Sequence, residues 1–189
     1  QWVRWIFGRI ADGWSCRAVA SELNSRGVSS PGATWRRVSR RKDGKWLQST
    51  IYALVRNRKY IGEFRWNVRR TKKRPSTNRR VAFKRDPKQW VTLRVEELRI
   101  VDDALWDRAH AIIARRSLEI GEKVKAGKKR VAAVSKGGAS RFLLSGLLVC
   151  PECGSRLVAN GPSQGYHCST RSQGGPAACS NDVRVARRV

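Results

Sequence analysis

Apolar residues recur at helical spacing in four stretches of this sequence. The first runs from the start of the chain to Ala11, and the second begins at Ser15, a favourable N-cap residue, and stops at Gly27. The third spans 48–56, and the fourth follows the capping residue Asp102. The residues predicted to face a common core are Trp2, Ile6, Ile10, Cys16, Val19, Ala20, Leu23, Ile51, Leu54, Val55, Leu105, Trp106, Ala109, Ile112 and Ile113.

Two shorter segments have the alternation of strands. These are 60–66 and 90–95, and the residues between them form a basic, weakly patterned excursion. Residues 121–140 hold four Gly and six basic residues, a composition typical of linkers. The pattern therefore predicts an α+β protein: a mostly helical domain with a small sheet over 1–120, a basic linker over 121–140, and a small β domain over 141–189.

The charge is strongly positive and unevenly spread. The net charge is +27, and residues 31–90 alone carry 20 basic and 3 acidic residues. This excess indicates a polyanionic partner, because it exceeds what solubility requires. No apolar run approaches the length of a membrane span, and no secretory signal opens the chain, so we expect a cytoplasmic protein.

Four of the five cysteines lie within the last 40 residues. Cys150 and Cys153 form a CxxC knuckle followed by a glycine, and Cys168 and Cys179 come later. So short a segment buries too little apolar area to fold alone, and a metal ion can supply the missing free energy. We predict one structural zinc on these four thiolates. Replacement of one ligand by His167, or a pair of disulfides, remains an alternative, and Cys16 is predicted to be a buried thiol.

The third helix carries a polar ridge opposite its apolar side. Gln48, Tyr52 and Arg56 recur at intervals of four and offer groups that can read base edges, with a plain solvated face as the alternative. Basic residues around this helix and in the linker are expected to contact phosphates. The complete set of candidate DNA contacts is Arg36, Arg37, Arg40, Arg41, Gln48, Ser49, Tyr52, Arg56, Arg58, Arg69, Arg70, Lys72, Lys73, Lys128, Lys129 and Arg130.

Catalytic chemistry has little support in the sequence. There are two histidines, no phosphate-binding loop, and no nucleophile beside a base, so no catalytic residue is predicted. The chain has no Met and begins inside a helical pattern, which leads to the expectation that it is a fragment of a longer protein.

Several segments together resemble the large serine recombinase (serine integrase) family. Residues 6–28 resemble the opening of its recombinase domain, 46–62 its middle signature and 100–106 its closing helix. Residues 147–179, with Cys-Pro-Glu-Cys-Gly and a later Tyr-His-Cys, resemble its zinc ribbon. The match follows the family's domain order over nearly the whole chain.

The resemblance implies sequence-specific binding of double-stranded DNA at recombination attachment sites. It also implies that the catalytic serine lies in an upstream domain and that the zinc ribbon over 141–189 is truncated at its end. The complete protein is then expected to be an enzyme that acts as a dimer on each site and a tetramer at synapsis. A zinc-containing transcription regulator and a structural RNA-binding protein are the alternatives. The linker is expected to tether two modules that contact one duplex about one helical turn apart.

Overall fold

The computed structural model describes residues 1–34, 44–131, 144–159 and 165–186. Five helices and six short strands make up this part of the chain. In order they are α1 (Trp2–Ala11), α2 (Cys16–Ser25), α3 (Gln48–Val55), β1 (Glu63–Trp66), β2 (Arg69–Lys73), β3 (Arg80–Lys84), β4 (Val91–Arg94), α4 (Asp103–Val131), β5 (Leu157–Ala159), β6 (Tyr166–Cys168) and α5 (Ser169–Gly174). The predicted α+β class is confirmed.

Helices α1 to α4 enclose the larger core. The side chains predicted to face inward from α2 and α3 are buried there except Cys16, which is half-buried, and Phe7 stacks on Trp106 with ring centroids 5.4 Å apart. The predicted caps are present, because Ser15 Oγ accepts the Ala18 amide at 3.1 Å and Asp102 Oδ1 accepts that of Leu105 at 2.8 Å. Local cap chemistry and helical spacing thus fixed these boundaries.

The strands form three separate antiparallel pairs, β1 with β4, β2 with β3, and β5 with β6. The predicted strand over 60–66 begins only at Glu63, because Asn57 accepts the Lys59 amide and starts a 3-10 turn over Arg58–Ile61. The weakly patterned excursion contains the hairpin β2–β3. Alternation did not reveal this hairpin because every residue of β2 is exposed.

The predicted linker needs a correction at its start. Helix α4 continues through 121–131, which are therefore helical, while 132–143 lie outside the described residues. Lys, Ala and Glu favour helix, and the single glycines are tolerated within it. Within the described ranges, no helix combines the length and the apolar character that crossing a membrane requires.

The ribbon, which comprises 144–186, is seated directly against α2 and α3. The link is Asn24, a buried side chain whose Nδ2 donates to the carbonyl oxygens of Trp46 and Gly174, both at 2.8 Å. Its Oδ1 accepts the Trp46 amide at 2.7 Å. Sequence analysis predicted two tethered modules and gave no sign of this contact. We call the interface between the ribbon and helices α2 and α3 the seam.

Two glycines make the close approach at the seam possible. A Cβ on Gly174 would lie 2.8 Å from the Trp46 carbonyl oxygen, and one on Gly175 would lie 2.1 Å from Ser21 Oγ. Gly175 also has a φ of 82°, which residues with a side chain rarely adopt. Any larger side chain at Gly175 therefore has to push the ribbon away from α2.

Candidate metal centre and nucleic-acid interface

The four ribbon cysteines converge at one point. Their sulfur atoms all lie within 4.8 Å of one another, with Cys150 Sγ 3.7 Å from Cys179 Sγ and Cys153 Sγ 3.5 Å from Cys168 Sγ. A tetrahedral site with Zn–S bonds of about 2.3 Å has sulfur separations of about 3.8 Å. The cluster therefore has the size and the donor set of a structural zinc site.

Backbone turns and one short helix assemble this cluster. Gly154, with a φ of 66°, closes the knuckle by donating its amide to the Cys150 carbonyl at 2.9 Å. Cys168 ends β6, and α5 then folds the chain back so that Cys179 reaches the same point. The ten-residue interval between the last two cysteines thus contains a helix of six residues.

The alternatives to a four-cysteine site fit less well. The sulfur separations are far beyond the roughly 2.05 Å of a disulfide bond, and all four thiols are free. Among the described residues, the convergent metal-ligand group contains the four cysteines without His167, which instead lines a neighbouring pocket. Cys16 lies apart, half-buried against the helical core, and burial raises the pKa of its thiol.

The protein environment shifts the pKa values of the four thiols in different directions. Burial raises the pKa of Cys179 to about 12. Burial also acts to raise the pKa of Cys153, but hydrogen bonds with Ser155, Cys168 and Thr170 together outweigh it and lower this pKa to about 6. The Asn181 amide donates to Cys150 Sγ at 3.1 Å, which favours a thiolate there. A divalent cation supplies the positive charge that four neighbouring thiolates need.

The predicted ridge on α3 is present, and it borders a cleft shared with β5 and α5 of the ribbon. Gln48, Ser49 and Tyr52 are exposed. Arg56 Nη1 donates to the Tyr52 hydroxyl at 2.8 Å, and its guanidinium lies over the Tyr52 ring at 5.1 Å. This contact joins the phenol and the guanidinium into one polar unit at the end of the helix.

The hairpin β2–β3 gathers another group of candidates. Arg69, Arg70, Lys72 and Lys73 are all exposed on β2. Because side chains alternate along a strand, Arg69 and Lys73 share one face, and the register adds two cations from β3 to it: Lys84 lies opposite Arg69, and Arg80 opposite Lys73. We call this the basic face.

The opposite face of the hairpin is different in character. Arg70 lies across from Phe83, and Lys72 across from Val81. Arg58, another candidate, forms an ion pair with Glu63 and is thereby partly neutralised. Sequence analysis missed Arg80 and Lys84 as members of the basic face, because only strand register reveals which residues share a face.

The remaining candidates lie outside the described side chains. Arg36, Arg37, Arg40 and Arg41 lie outside the described residues. Lys128, Lys129 and Arg130 belong to the last turns of α4, where the backbone alone is described. The described candidates therefore fall into three groups, which are the cysteines, the α3 ridge and the hairpin cations.

Comparison with known protein families gave two matches. The family profile described as Recombinase matches residues 1–116, and the one described as Recombinase zinc beta ribbon domain matches residues 143–188. No significant match was found among curated proteins or among solved structures. The two profiles follow one another along the chain and include the helical core, the hairpin and the cysteine cluster.

Proposed function

Because the chain belongs to the serine recombinase family with a zinc ribbon, we propose that it binds double-stranded DNA at recombination attachment sites. In this proposal the helical domain runs to the end of α4 at Val131, the ribbon lies within 141–189 and holds one structural zinc ion, and both contact DNA in the cytoplasm. The complete recombinase binds each site as a dimer and forms a tetramer at synapsis. Cutting and rejoining of strands belong to a separate catalytic domain.

The observation that carries the proposal is the basic face of the hairpin. Lys73 is directly opposite Arg80, and Arg69 is directly opposite Lys84. Like charges in such cross-strand positions destabilise a sheet. A nucleic-acid backbone removes this repulsion by placing phosphates between the cations, which accounts for two like-charged pairs on one short hairpin.

Helix α3 supplies groups suited to sequence discrimination. Its ridge offers the Gln48 amide, the Tyr52 phenol and the Arg56 guanidinium, which pair with base edges in a major groove. Family membership favours recombination over the transcription-regulator alternative. The experiment that tests the function is a footprint of the zinc-loaded protein on genomic fragments, in which one discrete protected site is expected, and uniform weak protection would contradict it.

Duplex binding should weaken steeply as salt rises. If about ten phosphates are neutralised, the logarithm of the association constant falls against the logarithm of salt concentration with a slope near −9. Fluorescence anisotropy with a labelled duplex, repeated across a salt series, measures this slope. A slope near zero would rule out the basic surface as the source of affinity.

Neighbouring lysines of β2 provide a matched pair. Lys73→Ala removes a cation from the basic face, whereas Lys72→Ala removes one from the face shared with Val81. We expect Lys73→Ala to weaken binding to all duplexes alike and to reduce the salt slope by about one, and Lys72→Ala to have the smaller effect. Equal losses for the two variants would show that the hairpin does not present one face to DNA.

A further inference from the structure

A pocket of about 230 Å³ opens at the seam, on the side of α5 that faces α2. Arg17 lines it from α2, and Arg171 and Arg184 line it from the ribbon. This volume is below that of sites for drug-sized ligands and is suited to a small group. The pocket exists only because the ribbon is seated on α2.

Its lining is predominantly cationic. Three arginines and one carboxylate, that of Asp182, line it, and the remaining lining residues are His167, Cys168, Ser172 and Asn181. Arg171 is held in place because its Nη1 donates to the carbonyl oxygens of Cys179 at 3.1 Å and Ser180 at 2.9 Å. Within the described part of the chain, the side chains of Arg17 and Arg184 take part in no ion pair.

We propose that this pocket binds a phosphate group of the DNA backbone, with Arg17 and Arg184 as its two ligands from opposite sides of the seam. Three guanidiniums around a small volume repel one another, and a bound anion offsets that repulsion. Arginine is the side chain best matched to the planar arrangement of phosphate oxygens. The source of the phosphate rests on the proposed function, whereas the anion site itself does not.

The site has a consequence for how the two modules engage DNA. A phosphate held by both α2 and the ribbon stabilises the seam, so the modules bind as one rigid unit instead of two tethered ones. Opening the seam should therefore abolish the site without touching either arginine.

The first test uses a double-mutant cycle on the zinc-loaded 189-residue protein. Arg17→Ala and Arg184→Ala should each lower duplex affinity roughly tenfold, because each removes a charge-assisted hydrogen bond. The fold loss in duplex affinity of the double variant should be smaller than the product of the two single-variant losses, because both arginines bind the same phosphate group. Arg108→Ala, an exposed arginine of α4, is the control for loss of charge alone. Losses equal to that of Arg108→Ala, or strictly multiplicative losses, would overturn the proposal.

A variant that is expected to raise duplex affinity separates an effect on binding from structural damage. Asp182→Asn removes the one carboxylate of the pocket and should raise duplex affinity, an effect that a merely disruptive substitution does not give. Gly175→Val should abolish the Arg17 effect by opening the seam. Gly13→Ala is its control, because Gly13 has a similar φ of 88° and no atom near an added Cβ. An Arg17 effect that persists in Gly175→Val would show that the site does not need the seam.

Titration with inorganic phosphate tests the anion site independently of the proposed DNA-binding function. Titrated phosphate should raise the melting temperature of the protein, and Arg17→Ala should remove that rise. A rise that depends on Arg17 in a protein that binds no duplex would keep the anion site and refute the DNA function. Duplex binding that is indifferent to Arg17 and Asp182, together with no phosphate effect, would refute the site and leave the DNA function standing.

Discussion

Removal of zinc by a chelator should unfold the ribbon while leaving the α1–α4 core folded. Among its described residues, the ribbon buries only Leu157, Tyr166, Ala178 and three of the cysteines themselves as apolar side chains. Without metal this cluster cannot offset the conformational entropy of the segment, whereas structural zinc contributes an apparent 10–16 kcal/mol or so. Loss of ribbon signals in a two-dimensional NMR spectrum, with those of the helical core retained, is the expected result.

Two cysteine variants complete this experiment. Cys168→Ser should lower zinc content from about one ion per chain to near zero and reproduce the chelated spectrum. Cys16→Ser, which changes a half-buried thiol outside the cluster, should leave the zinc content unchanged. A ribbon that keeps its NMR dispersion after zinc has been removed would contradict the coupling of metal binding to folding.

Asn24→Ala should destabilise the zinc-loaded protein by about 3 kcal/mol. The substitution leaves the Trp46 amide, the Trp46 carbonyl and the Gly174 carbonyl without the hydrogen bonds that Asn24 supplies, at about 1–3 kcal/mol for each buried group that stays unsatisfied. Urea unfolding followed by tryptophan fluorescence measures the loss. Asn57→Ala, which removes an exposed cap contact, is the matched control and should cost about 1 kcal/mol or less.

The same variant also reports on the seam. After chelation the ribbon no longer presents Gly174, so the cost of Asn24→Ala should fall by the share that this contact contributes. An identical cost with and without zinc would mean that Asn24 acts only through Trp46 and that the ribbon does not depend on it.

Features with a local cause were predictable from the sequence. The caps at Ser15 and Asp102 depend on residues three positions away, and the buried sides of α2 and α3 follow from helical spacing. The cysteine cluster was also foreshadowed by the sequence, because the CxxC knuckle is itself a chemical signature of a metal site and the other two cysteines converge on it. These features need no knowledge of what lies elsewhere in the fold.

Features that depend on distant partners were not predictable in this way. The hydrogen bond from Asn24 to Gly174 joins residues 150 positions apart, and no periodicity marks either one. The hairpin lacks alternation because β2 is exposed along its whole length, so only backbone pairing with β3 defines it. The pocket at the seam escaped notice because Arg17 and Arg184 belong to different modules and meet only in three dimensions.

The glycine pair at the seam sets a compatibility rule for chimeric recombinases. Under the proposed function, a ribbon exchanged between relatives should alter target choice only if it can seat on the recipient's α2. Gly174 and Gly175 on one side have to match Ser21 and Asn24 on the other. A Cβ added at either glycine would lie closer to one of these α2 side chains than ordinary van der Waals contact allows. A graft that moves the ribbon together with α2 should keep its seat, whereas a cut placed between them separates two surfaces shaped for each other.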